Sequence, residues 1–262
     1  MFFAKKMGDF IYFIYPKRKK VAIKNLKIAF PNKTADEINN IIRNTYKHYM
    51  MLMIDFLGQN RYNISNIDID SNTKKILSSD DGLILMTAHL GNWEMILPIL
   101  NKYKKTTAIV KTQRNKGGDR FVSYLRNFKN ITLVTMGSSK RKMIEALKNS
   151  EILAIASDQN AGDKGTRVPF FGKKASIPKG AAYFYYKTRC PVVMGFCILK
   201  ENSLYEFKLK KINIDINLED GLNENLFIKF NTIYSETLEK MIRKYPEQYF
   251  WFHKKWDRKI YR

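Results

Sequence analysis

The chain has 262 residues, of which 45% are hydrophobic, enough to bury the core of one large domain. Its 47 Lys and Arg residues outnumber 24 Asp and Glu residues, so the net charge is +23. This surplus favours nucleic acid, anionic lipid surfaces or acidic carrier proteins as partners, although a lysine- and asparagine-rich proteome would give the same bias. No run of about eighteen or more apolar residues occurs, which excludes an ordinary membrane-spanning helix.

The first thirty residues combine aromatic side chains with a basic cluster. Apolar residues crowd into 2–15, charged residues interrupt them, and the sequence KRKK follows at 17–20. No small-residue cleavage site follows, so a signal peptide is not expected. The pattern fits either a helix that lies on a bilayer or an amphipathic helix packed on the core. Under the first alternative, residues 1–30 form the membrane-interfacial region that we predict.

Two helices and then an alternation of strands and helices are predicted along the chain. The first helix covers 17–29, and Thr34 with Glu37 forms a capping box for the second, which reaches residue 57. The segment 158–177, which is rich in glycine, is predicted to be a long functional loop. The alternation predicts an α/β fold, a single domain over 1–262 with a largely parallel central sheet flanked by helices. Strands are expected at 83–87, 107–111, 131–135, 152–156, 191–199 and 204–214, and helices at 93–103, 119–128, 139–148, 180–188 and 225–244.

The segment HLGNWE begins just after the strand predicted at 83–87. His89 therefore follows the carboxyl end of a strand and precedes a helix that begins near Asn92, which is where open α/β sheets bind ligands. Residues five apart on one helix are separated by about 140° and cannot meet. From a turn before the helix, however, the His89 ring can fold back and reach Glu94. The spacing thus predicts that His89 lies outside the helix.

This pair suits acid–base chemistry. Histidine is the natural general base near neutral pH, and Glu94 can accept the Nδ1 hydrogen bond of His89, which leaves Nε2 free to take a proton. Gly91 permits a tight turn, and backbone N–H groups at the helix start can hold an oxyanion. No activated Ser or Cys is close in sequence, and no second histidine has zinc-binding spacing, so a hydroxyl is predicted to attack directly, without a metal. A capped helix start with a structural histidine is the alternative.

The remaining histidines and the two cysteines are expected to be structural or peripheral. His48 lies within the second predicted helix, and His253 belongs to a basic, aromatic tail. Cys190 and Cys197 are too far apart on one strand to form a disulfide, and two buried reduced thiols imply a reducing compartment.

Several segments, taken in order, resemble the lipid A late acyltransferase branch of the lysophospholipid acyltransferase superfamily. HLGNWE is similar to its HxxxxE/D block, and the end of the chain, YPEQYFWFHKKW at 245–256, is similar to its tail motif. The resemblance covers about residues 17 to 258. Its other segments are Asn25-Leu26 with Ala29-Phe30-Pro31, Ser157-Asp158-Gln159 with Gly162, Val168-Pro169-Phe170-Phe171-Gly172 with Ala175, and Gly180-Ala181-Ala182 with Thr188 and Pro191-Val192-Val193.

The resemblance implies a glycerolipid acyltransferase-like fold and an enzyme on the cytoplasmic face of the inner membrane. Such enzymes need no cofactor and move a fatty acyl chain from acyl carrier protein, or from acyl-CoA, to a hydroxyl of a lipid A precursor. In that case His89 is the base and Glu94 orients it. Arg126 and Asp158 match further residues of the family pattern, and Arg126 is expected to hold phosphates of the acceptor. Asp158 can instead cap its own loop.

Three further residues are candidates for the site. Lys111 ends the predicted second strand and Arg114 follows it; both can help to hold phosphates, although basic residues near helix ends usually form a solvated face. Lys111 stands where an arginine is common in the family, and Asn92 stands at the start of the helix after His89. Family members usually carry a membrane-spanning helix before the first block. Here that segment is short and interrupted by charge, so peripheral or shallow attachment is predicted.

Other functions stay open at this point. The same chemistry fits acylation of a lysophospholipid or of a glycosylated phosphatidylinositol. A basic, non-catalytic protein that binds membranes or nucleic acid would leave HLGNWE unexplained, and the aromatic-basic interleaving of RNA-binding modules is not evident. The partners predicted are therefore acyl carrier protein and anionic membrane lipid, not nucleic acid. No oligomeric state is predicted.

Overall fold

The structure is a computed structural model that describes residues 2–59, 62–216, 219 and 221–262, apart from the side chain of Lys17. Met1, part of the predicted interfacial region, lies outside the described residues. The helices are α1 (Phe2–Ile14), α2 (Pro16–Ala29), α3 (Ala35–Gly58), α4 (Ser71–Leu77), α5 (Ile96–Tyr103), α6 (Lys116–Leu125), α7 (Lys140–Lys148), α8 (Gly180–Thr188) and α9 (Glu224–Lys244). The strands are β1 (Leu83–Thr87), β2 (Thr106–Val110), β3 (Ile131–Thr135), β4 (Ile152–Ala156), β5 (Thr166–Phe170), β6 (Lys173–Ile177), β7 (Val192–Leu199) and β8 (Tyr205–Lys211).

The chain forms two compact units, which are described separately. Unit 1 comprises Met1–Ile54, Asp158–Lys179 and Ile216–Arg262, and unit 2 comprises Asp55–Ser157 and Gly180–Asp215. The single domain over 1–262 stays a prediction. No helix among the described residues combines the length and the apolar content that crossing a bilayer requires.

Unit 2 is built on a six-stranded sheet with the order β3-β2-β4-β1-β7-β8. All neighbouring strands are parallel except β7 and β8, which pair in the antiparallel sense. All five residues of β1 are buried, as expected for a central parallel strand covered on both faces. The predicted α/β fold with a largely parallel sheet is therefore confirmed.

Helices pack on the sheet of unit 2. Leu83 and Leu85 of β1 belong to a core cluster that includes Met95 and Ile99 from the segment after His89. Alternate residues of a strand point to opposite faces, so Ile84 faces the other side. Helices α4, α5, α7 and α8 contact the strands of this sheet. The central position of β1 places the end of that strand, and His89 beyond it, in the middle of one sheet edge.

The helix α6 begins and ends three residues earlier than the predicted 119–128. The side chain of Asn115 accepts a hydrogen bond of 2.8 Å from the backbone N–H of Gly118 and so caps the helix before its two glycines. Glycine disfavours helix interiors, which is why the pattern alone placed the start too late. The predicted Arg126 therefore follows the helix rather than lying within it.

Unit 1 contains a hairpin where a loop was predicted. The segment 158–177 includes β5 and β6, which pair in the antiparallel sense across the two-residue turn at Phe171-Gly172. Both turn residues have positive φ angles, as two-residue hairpins favour. The prediction was wrong because Pro169 argues against a strand in sequence. Here the Ser235 hydroxyl of α9 donates to the Pro169 carbonyl at 2.6 Å, and α9 packs against β5.

The capping box predicted at Thr34 and Glu37 is present at the start of α3. The Thr34 backbone N–H donates to the Glu37 carboxylate at 2.8 Å, and Glu37 N–H donates back to the Thr34 hydroxyl at 3.2 Å.

In α1, a Cβ on Gly8 would lie 2.5 Å from the backbone of Lys47, so α1 packs closely on α3. Its opposite face exposes 64% of Phe10 and 70% of Phe13. The packing on α3 agrees with the amphipathic alternative, and contact of the exposed face with a bilayer stays a prediction.

Candidate active site

His89 lies on a turn between strand β1 and the helical segment that follows. The strand ends at Thr87, a short 3-10 turn covers Trp93–Met95, and α5 begins at Ile96. The prediction that His89 lies outside the helix is confirmed. The turn therefore sits at the carboxyl edge of the sheet, where α/β folds bind ligands.

The turn is fixed to strand β7 through Gly91 and Asn92. The Asn92 backbone N–H donates to the Cys197 carbonyl at 2.7 Å. Gly91 has a φ angle of +68°, and a Cβ there would lie 2.1 Å from the same carbonyl oxygen. No side chain fits at residue 91 without displacing β7, so glycine is needed both for the conformation and for the close approach.

Glu94 is buried and ion-paired. Arg126 donates to it twice, from Nε to Oε2 at 2.9 Å and from Nη2 to Oε1 at 2.7 Å. The indole N–H of the neighbouring Trp93 donates to Oε1 at 3.0 Å. A buried carboxylate needs such compensation, and a two-pronged guanidinium gives it direction as well as charge. Arg126 thus contacts the predicted catalytic pair itself, and its role towards acceptor phosphates stays a prediction.

The hydrogen bonds to Glu94 leave room for one more donor. A carboxylate has about four lone-pair directions, and three are taken by Arg126 and Trp93. The His89 ring packs edge to face on the Trp93 ring, with centroids 5.0 Å apart and planes at 64°. Trp93 therefore touches both members of the pair and fixes the orientation of one relative to the other. That His89 donates to Glu94 remains a prediction.

Residues 55–59, which begin unit 2, contact both Arg126 and its helix. The Arg126 guanidinium lies over the Phe56 ring, 5.7 Å from its centroid. The Gln59 side-chain amide donates to the Leu125 carbonyl at 2.6 Å, which satisfies an exposed carbonyl at the end of α6. These contacts add to the bonds with Glu94 in holding Arg126 in place.

A buried polar cluster lies behind the turn. Asp55 Oδ2 accepts from the Tyr205 hydroxyl at 2.6 Å and from the Asn92 side-chain amide at 3.2 Å. Burial raises the pKa of the Asp55 carboxyl, and the hydrogen bond from Tyr205 works in the opposite direction. The pKa of Tyr205 is raised too, chiefly by burial and then by the Asp55 charge. The side chain of Asn92 therefore links the turn to the Asp55 carboxylate.

Two further predicted residues lie at the same edge of the sheet. Lys111 follows β2 directly, and Arg114 lies in the loop before α6; both side chains are exposed. Strand β2 is separated from β1 by β4 alone, and the two spacings amount to about 10 Å. Both residues thus keep the position expected of them, and their roles remain untested.

Asp158 belongs to unit 1 and takes part in a buried network there. The Lys255 ammonium donates to its backbone carbonyl, and the Asp158 carboxylate contributes to the raised pKa of the Tyr249 hydroxyl after burial. Burial lowers the pKa of Lys255 to about 8. His253 accepts a hydrogen bond of 3.1 Å at Nε2 from the Asn160 backbone. The predicted role of Asp158 in the reaction stays a prediction.

The expectation of two buried thiols holds for Cys197 alone. Both cysteines are free thiols, but Cys190 is only half-buried. Burial raises the pKa of Cys197. Sequence analysis missed Asp55, Phe56 and Tyr205 as parts of the site. The only signal that could have found Asp55 is an acidic residue near the apolar end of a long helix, which is too weak to assign.

Comparisons with known proteins identify the family of the chain. A family model described as bacterial lipid A biosynthesis acyltransferase matches residues 1–258. A match over this length defines the class of protein: the chain is an acyltransferase that acts on a lipid. It belongs to the family of bacterial lipid A biosynthesis acyltransferases, and the resemblance predicted from its motifs is confirmed.

Individual relatives are distant in sequence. The lipid A biosynthesis palmitoleoyltransferase of Escherichia coli (strain K12) is 20% identical over 265 residues, which cover 97% of this chain and 83% of that protein. The lipid A biosynthesis acyltransferase of Shigella flexneri gives the same values. Among solved structures, the 1-acyl-sn-glycerophosphate (LPA) acyltransferase PlsC from Thermotoga maritima is 14% identical with a TM-score of 0.41, covering 91% of this chain and 98% of that one.

Proposed function

We propose that the protein transfers a fatty acyl chain from the thioester of acyl carrier protein to a hydroxyl of a lipid A precursor, with His89 as the general base. The observation that carries the proposal is the buried Glu94 carboxylate beside His89, held by Arg126 and Trp93 at the carboxyl edge of the sheet. With His89 bonded to a carboxylate held in this way, the proposed reaction needs no covalent intermediate on the enzyme.

The reaction follows from the chemistry of the pair. His89 Nε2 removes the proton of the acceptor hydroxyl as its oxygen attacks the thioester carbonyl. Glu94 accepts the Nδ1 hydrogen bond and stabilises the imidazolium that forms. The tetrahedral oxyanion then collapses, the carbon–sulfur bond breaks, and the imidazolium returns its proton to the leaving thiolate. The products are the acyl ester and the free thiol of the carrier.

Charge supports the choice of donor and acceptor. The net charge of +23 attracts an acidic carrier protein and an anionic lipid over long distances. Acyl-CoA is the alternative donor, and a lysophospholipid or a glycosylated phosphatidylinositol is the alternative acceptor. All of these substrates share the thioester-to-hydroxyl chemistry. Competition between acceptors distinguishes the three acceptors.

The test is His89→Gln, assayed by transfer of a labelled acyl chain from acyl carrier protein to a lipid A precursor and, separately, to a lysophospholipid. Since general acid–base catalysis contributes roughly 10²- to 10⁴-fold, we expect kcat/KM to fall about 10³-fold with an unchanged fold. His253→Gln is the matched control and should retain activity. Full activity in His89→Gln would refute the assignment of His89 as the general base. Faster transfer to the lysophospholipid would show that a lysophospholipid, rather than a lipid A precursor, is the acceptor.

We further propose that the protein acts on the cytoplasmic face of the inner membrane as a peripheral or shallowly attached enzyme. Helix α1 supports this with its exposed Phe10 and Phe13. Helix α6 of unit 2 exposes 52% of Phe121 and 68% of Tyr124, which share one helix face with Arg120. Such faces suit a bilayer interface. The fluorescence of the tryptophan introduced by Phe10→Trp should be quenched by brominated lipid in vesicles. Absence of quenching would argue against attachment through α1.

A further inference from the structure

Unit 1 contains a basic cavity, and none of the candidate catalytic or substrate-binding residues is among the residues that line it. Its volume is about 620 Å³, within the range of small-molecule sites. Arg18, Lys20 and Lys24 line it from α2, and Lys254 and Arg262 line it from the C-terminal segment. Among the lining residues in the described part of the chain none is acidic, so the positive charges of the cavity add together.

Hydrogen bonds from Lys24 and Arg18 to backbone oxygens hold the walls of the cavity. The Lys24 ammonium donates to the backbone oxygens of Ile260 and Arg262 at 3.0 and 2.9 Å. The Arg18 guanidinium donates to the Phe252 carbonyl at 3.2 Å. These bonds fix α2 against the C-terminal segment, and the cations of Arg18, Lys20 and Lys254 attract anions.

The cavity also reaches the residue that follows α1. Tyr15, which follows the last residue of α1, contributes to the lining, and the neighbouring Phe13 and Ile14 are exposed. A ligand in the cavity would therefore meet cations on one side and exposed apolar side chains at the end of α1. Inorganic phosphate would fill a small part of this volume, whereas a phospholipid headgroup has both the charge and the size.

We propose that this cavity binds the phosphate headgroup of an anionic membrane phospholipid. Its glycerol and acyl portions would continue along the exposed face of α1. An acidic protein would match the charge, but a protein surface would leave the exposed aromatic residues of α1 unexplained. The site lies wholly within unit 1 and does not depend on the proposed acyl transfer.

The experiment titrates the full-length protein with dihexanoyl-phosphatidylglycerol below its micelle concentration, followed by amide chemical shifts in ¹H–¹⁵N spectra. We expect saturable shifts confined to α1, residues 15–24 and residues 252–262. Dihexanoyl-phosphatidylcholine, inorganic phosphate and acyl carrier protein are the comparison ligands. Equal or tighter binding of inorganic phosphate at these residues would overturn the headgroup assignment, as would shifts there with the carrier protein alone.

Matched variants separate a site from general attraction. Lys20→Gln with Lys254→Gln removes two cations of the cavity, and Lys27→Gln with Lys240→Gln removes two exposed cations of unit 1 outside it. We expect the first pair to weaken binding of dihexanoyl-phosphatidylglycerol at least tenfold and the second by less than threefold. Equal losses in the two double variants, with folded spectra for both, would overturn the proposal.

Discussion

At the residue scale, Arg126 connects the predicted catalytic pair with the rest of unit 2. Its guanidinium binds both oxygens of Glu94 and lies over the Phe56 ring. Lysine would keep the charge but could neither form two parallel bonds nor stack in the same way. We therefore expect Arg126→Lys to lower kcat roughly 10- to 100-fold, with a smaller change in KM, because the acid–base pair loses orientation.

The control for this change is Arg120→Lys on the same helix, where the side chain is exposed. Steady-state kinetics of both variants with the same donor and acceptor would measure the difference. Equal kcat values for Arg126→Lys and Arg120→Lys would mean that the ion pair with Glu94 does not support the reaction.

The residue scale is also where sequence analysis succeeded and failed most clearly. The position of His89 outside the helix follows from the geometry of a five-residue spacing, and the structure confirms it. The pairing of Arg126 with Glu94 joins residues 32 positions apart, and local periodicity contains no information on such a contact. Family resemblance pointed to Arg126, but only the coordinates connect it with Glu94.

At the scale of elements, β8 supports the turn of His89 through Tyr205. The Tyr205 hydroxyl donates to Asp55, which also accepts from Asn92. Tyr205→Phe leaves this half-buried carboxylate with one donor fewer, and a hydrogen bond to a charged group contributes about 1.5–3 kcal/mol. We expect a loss of about 2 kcal/mol in the free energy of unfolding and a several-fold lower kcat.

Urea unfolding and steady-state kinetics would check this, with the exposed Tyr124→Phe as the control. If Tyr205→Phe matched Tyr124→Phe in both measurements, the cluster of Asp55, Asn92 and Tyr205 would have no supporting role. Sequence analysis could not find the cluster, because Asp55 and Tyr205 are 150 residues apart.

The hairpin of β5 and β6 shows a second limit of sequence patterns. One of its strands contains Pro169, so its composition does not favour a sheet. The pairing is stabilised by α9, which lies more than forty residues later in the chain. Strands β1 and β4 also have five residues each, but they were predicted because burial on both faces leaves a continuous apolar run in the sequence.

At the scale of the whole molecule, the buried Lys255 makes stability depend on pH. Burial lowers its pKa from the ordinary 10.5 to about 8. Below pH 8 both folded and unfolded chains hold this proton, so the contribution is constant. Between about pH 8 and 10.5 the unfolded chain binds more protons, and the free energy of unfolding rises with pH. The rise amounts to about 3 kcal/mol, at about 1.4 kcal/mol per unit.

Lys255→Met should remove this rise, whereas Lys254→Met, at an exposed neighbour, should keep it. Denaturant unfolding at pH 7.5 to 9.5, followed by tryptophan fluorescence, would compare the two. The window stays below the range in which the tyrosines titrate; burial raises the pKa of Tyr249 and Tyr261, and they act in the opposite direction. A rise of the same slope in both variants would contradict the assignment to Lys255.

The bond between the Asn92 backbone and the Cys197 carbonyl has a kinetic consequence. Amide protons of loops normally exchange with solvent quickly, through small local openings. The Asn92 N–H, however, is bonded to the carbonyl of Cys197, a buried residue of β7. It should therefore exchange with deuterium as slowly as the amides of β7, in hours rather than seconds, while the amides of the exposed loop 111–115 exchange at once.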